Sequence, residues 1–121
     1  MNNYRLNIGK VGENLAVKYL EAKGINVIGR NYYTRYGEID LIAQQGDEIL
    51  FIEVKTRTSN DYGYPEEAVN KKKVMHLVKA INEYVMEKQI RNFWRIDAIS
   101  IELNLSSKIA KIRWFMNISE N

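Results

Sequence analysis

The segment GEIDLIAQQGDEILFIEVKTR, Gly37 to Arg57, constrains the fold more tightly than any other part of the chain. Ile39 to Ala43 and Ile49 to Lys55 are rich in β-branched and large apolar residues. QQGDE between them supplies the glycine and polar residues of a hairpin connection, so the two runs are expected to pair antiparallel. Asp40, Glu53 and Lys55 nevertheless stand inside these apolar strands. Side chains alternate across a strand, which predicts one face for Glu53 and Lys55, the opposite face for Ile52 and Val54, and a shared face for Glu38 and Asp40.

If the register sets Asp40 beside Glu53, the two carboxylates can hold one hard divalent cation, helped by the backbone carbonyl of Val54 and by water. Oxygen donors of this kind suit magnesium or manganese. The ion would offset carboxylate repulsion, polarise a phosphodiester oxygen and acidify bound water. Lys55 would then orient that water or stabilise the charge that develops on phosphorus. The plain alternative is a set of solvated cross-strand ion pairs worth about 0.2–1 kcal/mol each, and an acid, spacer, lysine unit by itself does not separate the two.

The remaining elements fit around this hairpin. Val11, Leu15, Ala16, Tyr19 and Leu20 recur at helical spacing, predicting an amphipathic helix from about Asn7 to Lys23 that Gly24 ends. Ile25 to Ile28 reads as a brief strand, and Asn31 to Tyr36 as a separate extended piece rich in tyrosine. TSNDYGYP reads as a loop, and Pro65 with Glu66 and Glu67 as the entry to a second helix running to about Lys88. Val74, Leu77, Val78, Ile81, Tyr84 and Val85 form its apolar stripe. Trp94 to Glu102 and Lys108 to Phe115 read as strands with NLSS turning between them. Helix, strands, helix, strands suits an α/β arrangement around a mixed sheet, and 121 residues suit one domain spanning the chain.

Composition excludes several chemistries. There is no cysteine and only one histidine, His76, so thiolate sites and histidine pairs within the chain are ruled out, and hydrolysis must lean on carboxylates and lysines. His76 is expected on a helix flank without catalytic duty. No apolar run reaches the roughly 20 residues a membrane span needs, and MNNYRLNIGK lacks the apolar core of a secretory signal, so a cytoplasmic protein without a membrane partner is expected. The net charge of +3 permits a polyanionic partner without requiring one.

GEIDLIA followed by FIEVKTR resembles the bipartite signature of the PD-(D/E)XK nuclease superfamily. Asp40 matches its first acid, and Glu53, Val54 and Lys55 match its second unit. Gly12, Glu13, Ala16, Tyr19, Leu20, Gly24, Arg30 and Asn31 upstream, with Gly63, Ala68, Val69, Lys73 and Ala80 downstream, resemble the YraN-like family of small bacterial proteins within that superfamily. The resemblance implies a restriction-endonuclease-like mixed β-sheet flanked by helices. It also implies a metal-dependent endonuclease, similar in layout to archaeal Holliday junction resolvases. It adds Glu13 to the expected catalytic set Asp40, Glu53 and Lys55, because related nucleases often complete the metal site with a glutamate of the first helix. A glutamate early in a helix is also favoured by the helix dipole alone.

The expected partner is nucleic acid, DNA favoured over RNA, with branched or junction DNA among the candidate substrates. Lys72 and Lys73 on the second helix, with Arg30 and Arg57 near the hairpin, are the expected phosphate contacts, against the alternative of solvated surface charge. Tyr32, Tyr33 and Tyr36 offer faces for unpaired bases, although packing is the commoner use of such residues. Asp97 is expected to be structural, and Trp94 and Trp114 to fill core or edge volume. Cutting both strands would call for two chains acting together or two successive events. The competing functional reading is a nucleic-acid-binding module that keeps the nuclease fold without cleaving.

Overall fold

The computed structural model describes residues 3–58 and 71–118, with side chains from Asn7 onward. Seven elements follow in order: helix α1 (Asn3–Ala22), strands β1 (Asn26–Thr34), β2 (Gly37–Gln45) and β3 (Glu48–Thr58), helix α2 (Lys71–Lys88), and strands β4 (Trp94–Asn104) and β5 (Ile109–Phe115). The loop TSNDYGYP beyond Thr58 and the Pro65 helix entry lie outside the described residues. No described helix is long and apolar enough to cross a membrane.

The strands form one sheet in the order β1-β2-β3-β4-β5. All neighbours run antiparallel except β3 and β4, which pair in parallel from Ile49↔Trp94 to Thr58↔Leu103. A parallel pair cannot be closed by a tight turn, and α2 lies in the connection that returns the chain to β4. The result is the α/β architecture expected from the sequence, a restriction-endonuclease-like mixed sheet flanked by helices.

The hairpin forms as its residues predict. Gln45 pairs with Glu48 across a two-residue loop, and Gly46 takes φ 61°, a left-handed value that glycine adopts without steric cost. On β3, Leu50 and Ile52 pack with Ala16 and Leu20 of α1, whereas Ile49 and Phe51 pack with Leu77 and Ile81 of α2. Burial on both faces explains why this strand is apolar along most of its length.

Some local expectations need correction. Helix α1 begins at Asn3, earlier than its apolar periodicity indicates, and stops as expected at Gly24, whose φ of 80° accompanies the Ile25 N–H donating back to the Leu20 carbonyl. The expected two pieces after it are one strand, β1, irregular between Val27 and Gly29, and Tyr36 lies beyond its end. The alternation behind the shared face expected of Glu38 and Asp40 is broken along β2, yet Glu38 still lines the same cleft as Glu53, the residue opposite Asp40. Leu41 belongs to the α1-side core and Ile39 to the α2-side core, although strict alternation would put them together. Strand β1 turns over with it: Arg30 pairs with Leu41 and reaches α1, while Tyr32 pairs with Ile39 and packs against Tyr84 of α2. Between them, Asn31 and Asp40 are not partners in the ladder, and Asn31 sits at φ 52°. Asparagine is among the few non-glycine residues that tolerate this region.

The far side of the sheet is tied by Asp97, which is fully buried. It accepts hydrogen bonds from Arg95 Nε (3.0 Å), Trp114 Nε1 (2.8 Å) and the Asn117 backbone N–H (2.8 Å), and Arg95 also donates to Glu48 at 2.8 Å. The charge is thus paired and saturated, as burial requires. The structural role expected of Asp97 is the one seen. Trp94 packs edge-on to Phe51, and Trp114 edge-on to Tyr19.

Helix α1 meets β3 at Gly12, where a β-carbon would overlap the side chain of Thr56. Alanine is the better helix former by about 1 kcal/mol, which offsets only part of that overlap. Gly12→Ala is expected to lower stability by about 1–2 kcal/mol, read as a fall in the urea midpoint at unchanged slope. Adding Thr56→Ala should restore most of the loss.

Candidate metal and phosphate site

The site lies where β2 and β3 part. Their last paired residues are Leu41 and Ile52, so one step further along, Asp40 and Glu53 stand opposite each other without a ladder bond between them. The Val54 N–H, which a longer β2 would have engaged, donates instead to Asp40 Oδ2 at 2.8 Å. The carboxylate replaces a strand as the acceptor, and this holds its second oxygen in a defined direction.

Glu53 is only 6% exposed, and it stands close enough to Asp40 for the charge of one to act on the other. Burial, followed by the nearby Glu53 charge, pushes Asp40 up to about 8. Burial likewise raises Glu53, against the pull of Lys73, whose Nζ lies 3.6 Å from Glu53 Oε2. Lys73 reaches down from α2 and is the charge that the structure sets against this acid.

Glu13 approaches from the other side of the sheet. The side-chain amide of Asn31 donates to both Glu13 carboxylate oxygens (3.2 and 3.1 Å) and to Glu38 Oε2 (2.9 Å). The nearby Glu38 raises the pKa of the exposed Tyr33 hydroxyl. The charges of Glu38 and Glu13 both add to the raising of Asp40. The kink at Asn31 and Asp40 therefore gathers acids from both faces of the sheet.

The expected site residues separate into groups. Asp40 and Glu53 come together at the fork, with Val54 joined to Asp40. Lys55 is half-buried, and the unbroken β3–β4 register keeps it on the face of Glu53, as Arg57 also is. Lys73 is brought to Glu53, and the neighbouring Lys72 is exposed on α2. Arg30 goes elsewhere: it donates to Asn14 Oδ1 at 2.7 Å and lies 3.7 Å from Glu13, on the α1 side. Of the tyrosines, Tyr32 packs on Tyr84, Tyr33 stands near Glu38, and Tyr36 lines a cleft.

That cleft, of about 310 Å³, opens on the α2 side directly beside Glu53. Leu77 and Ala80, both buried, form its floor, while Tyr36, Lys72, Lys73 and His76 form its exposed rim. Two participants escaped the sequence reading. Asn31 entered it only within the family pattern, although an asparagine between two strand-forming stretches already signals a backbone break. His76 was placed on a helix flank, which is correct, but the flank borders the cleft.

Among the described residues no three acidic or imidazole side chains converge closely enough to surround an ion. The donor set nevertheless fits magnesium or manganese, which commonly bind through one or two carboxylates and keep several waters. Asp40 and Glu53 would be those carboxylates, set opposite each other at the fork.

A family model described as "Uncharacterised protein family UPF0102" matches residues 12–101. Among curated relatives, a UPF0102 protein of Alkaliphilus oremlandii is 44% identical over 111 residues, covering 91% of this chain and 95% of its own. Another, of Dictyoglomus turgidum, is 40% identical over 118 residues, covering 97% and 98%.

The sign of the pH dependence follows from Asp40. Between about pH 4, where the unfolded carboxyl ionises, and about pH 8, the folded chain keeps a proton that the unfolded chain has released. Stability therefore falls as pH rises through this window, by as much as a few kcal/mol from this pair. Asp40→Asn keeps an acceptor for the Val54 N–H and removes the charge. In urea titrations at pH 5, 6.5 and 8 it should flatten the slope and exceed wild type at pH 8. An unchanged slope would contradict the assignment.

Proposed function

The chain belongs to the UPF0102 family, and from that premise and the geometry at the fork we propose that it is a metal-dependent endonuclease that hydrolyses phosphodiester bonds of DNA. The observation that carries this reading is the pairing of Asp40 with Glu53, a half-buried and a buried acid set opposite each other where β2 and β3 part, at a cost in stability. A structural ion pair would place a cation between them. Here the acids face each other, and the Lys73 ammonium lies 3.6 Å from Glu53.

Magnesium or manganese would be held by Asp40, Glu53 and the Val54 carbonyl, and when bound it would supply Lewis-acid polarisation of the phosphate and a more acidic water. The chain's own residues would do the rest. Asp40 is fixed by the Val54 N–H and needs no reorganisation to present its free oxygen. Lys55, on the face of Glu53, would hold the attacking water and stabilise the negative charge that builds on the phosphoryl oxygens as the new P–O bond forms. The ester P–O bond then breaks, the attacking water's proton passing to solvent and the departing oxygen taking one from solvent. Lys72 and Lys73 at the cleft rim would contact neighbouring phosphates. Glu13 would act at a distance from the reaction, positioned by Asn31.

Two measurements test the proposal. Calorimetry with manganese should show one site that Asp40→Asn and Glu53→Gln each weaken at least tenfold, and the ion should stabilise the fold more at pH 8 than at pH 5. Manganese-dependent cleavage of duplex, single-stranded and four-way-junction DNA should fall at least about a hundredfold in Lys55→Ala, with manganese affinity retained. Equal product from wild type and Lys55→Ala would defeat the chemistry. DNA binding without any cleavage by wild type would leave the non-cleaving module.

A further inference from the structure

We infer that the cleft beside Glu53 is a subsite for one unpaired nucleotide, so that the substrate strand is single-stranded next to the bond that is cut. This rests on the hydrolase reading for the identity of the polymer and adds to it the form that polymer takes. Size argues first. About 310 Å³ lies at the small end of the ~300–1,000 Å³ range of ligand pockets, room for one nucleotide and far too little for a duplex.

Chemistry argues next. The floor, Leu77 and Ala80, is apolar and buried, and an apolar floor is matched by the face of a base. In a duplex that face is covered by the neighbouring base pairs, and only an unstacked nucleotide can present it. The rim offers an aromatic ring and cations that a nucleotide can use, with the acids Glu38 and Glu53 also lining the cleft: Tyr36 is 38% exposed, and Lys72, Lys73 and His76 stand along α2. Arg35 and Lys79 lie 5.3 and 5.7 Å from the centre of the Tyr36 ring. Arg35 is also paired with Glu83, its Nε 3.5 Å from Oε1, whereas exposed cations at such distances hold a ring weakly and can meet the phosphate beside a stacked base. Gly37, next to Tyr36, also lines the cleft and presents no side chain to narrow it. Glu53 at the edge of the cleft fixes the direction, since the phosphate attached to the seated nucleotide would lie toward the acid pair.

Fluorescence anisotropy of the intact protein in EDTA, where nothing is cut, tests the subsite with labelled single-stranded DNA and a blunt duplex of the same sequence. Wild type should bind the single strand more tightly. Tyr36→Ala should weaken single-strand binding about tenfold, within the range of one lost base stack, while duplex binding changes less than twofold and Tyr36→Phe stays near wild type. Equal affinity of wild type for the two DNAs, no effect of Tyr36→Ala, or equal losses on both DNAs would overturn the inference. Manganese calorimetry on the same preparations separates it from the parent reading. No manganese site would defeat the hydrolase and leave the binding preference standing, whereas metal-dependent cleavage without the preference would defeat the subsite alone.

Discussion

Everything at the candidate site depends on one hydrogen bond, from the Val54 N–H to the Asp40 carboxylate. It exists because β2 stops pairing with β3 after Leu41 and Ile52, leaving a backbone donor in a half-buried position where it must find an acceptor. An acid side chain takes the place of a strand. The same substitution carries Asp40 out of water and against Glu53, and this is why its carboxyl keeps a proton near neutrality. Structure and charge are thus set by the same break in the sheet.

The two helices serve that break from opposite faces. Gly12 brings α1 against Thr56 of β3, and the next residue, Glu13, can then reach the kinked Asn31. On the other face α2 delivers Lys73 to Glu53. The kink at Asn31 and Asp40 lets one amide, that of Asn31, hold both Glu13 of α1 and Glu38 of β2. Asp97, with Arg95, Trp114 and the Asn117 backbone, anchors β4 and β5 and so steadies the strand on which β3 is registered.

The hairpin was legible because its signals are local: β-branched runs, a glycine turn, and a register that follows once the turn is known. The α2 stripe was legible for the same reason, and Leu77, Ile81 and Tyr84 are buried as their spacing requires. The reversal of faces at Asp40 was not, since it arises from β1 and β2 bending together around Asn31, a tertiary event with no period of its own. Arg30 illustrates the limit well. Near the acids in sequence, it lies on the face of α1 because of that same reversal, and its charge is directed to Glu13 and Asn14 rather than to the fork.

The acids of the fork also belong to one short hairpin, closed by a two-residue loop at Gly46 and Asp47. Such a unit closes within microseconds, well before a parallel pair that must wait for a helical crossover. On that order the two acids would be drawn toward each other early, when few other contacts hold them. Protons available in mildly acid solution would ease that step and give the refolding rate a dependence on pH.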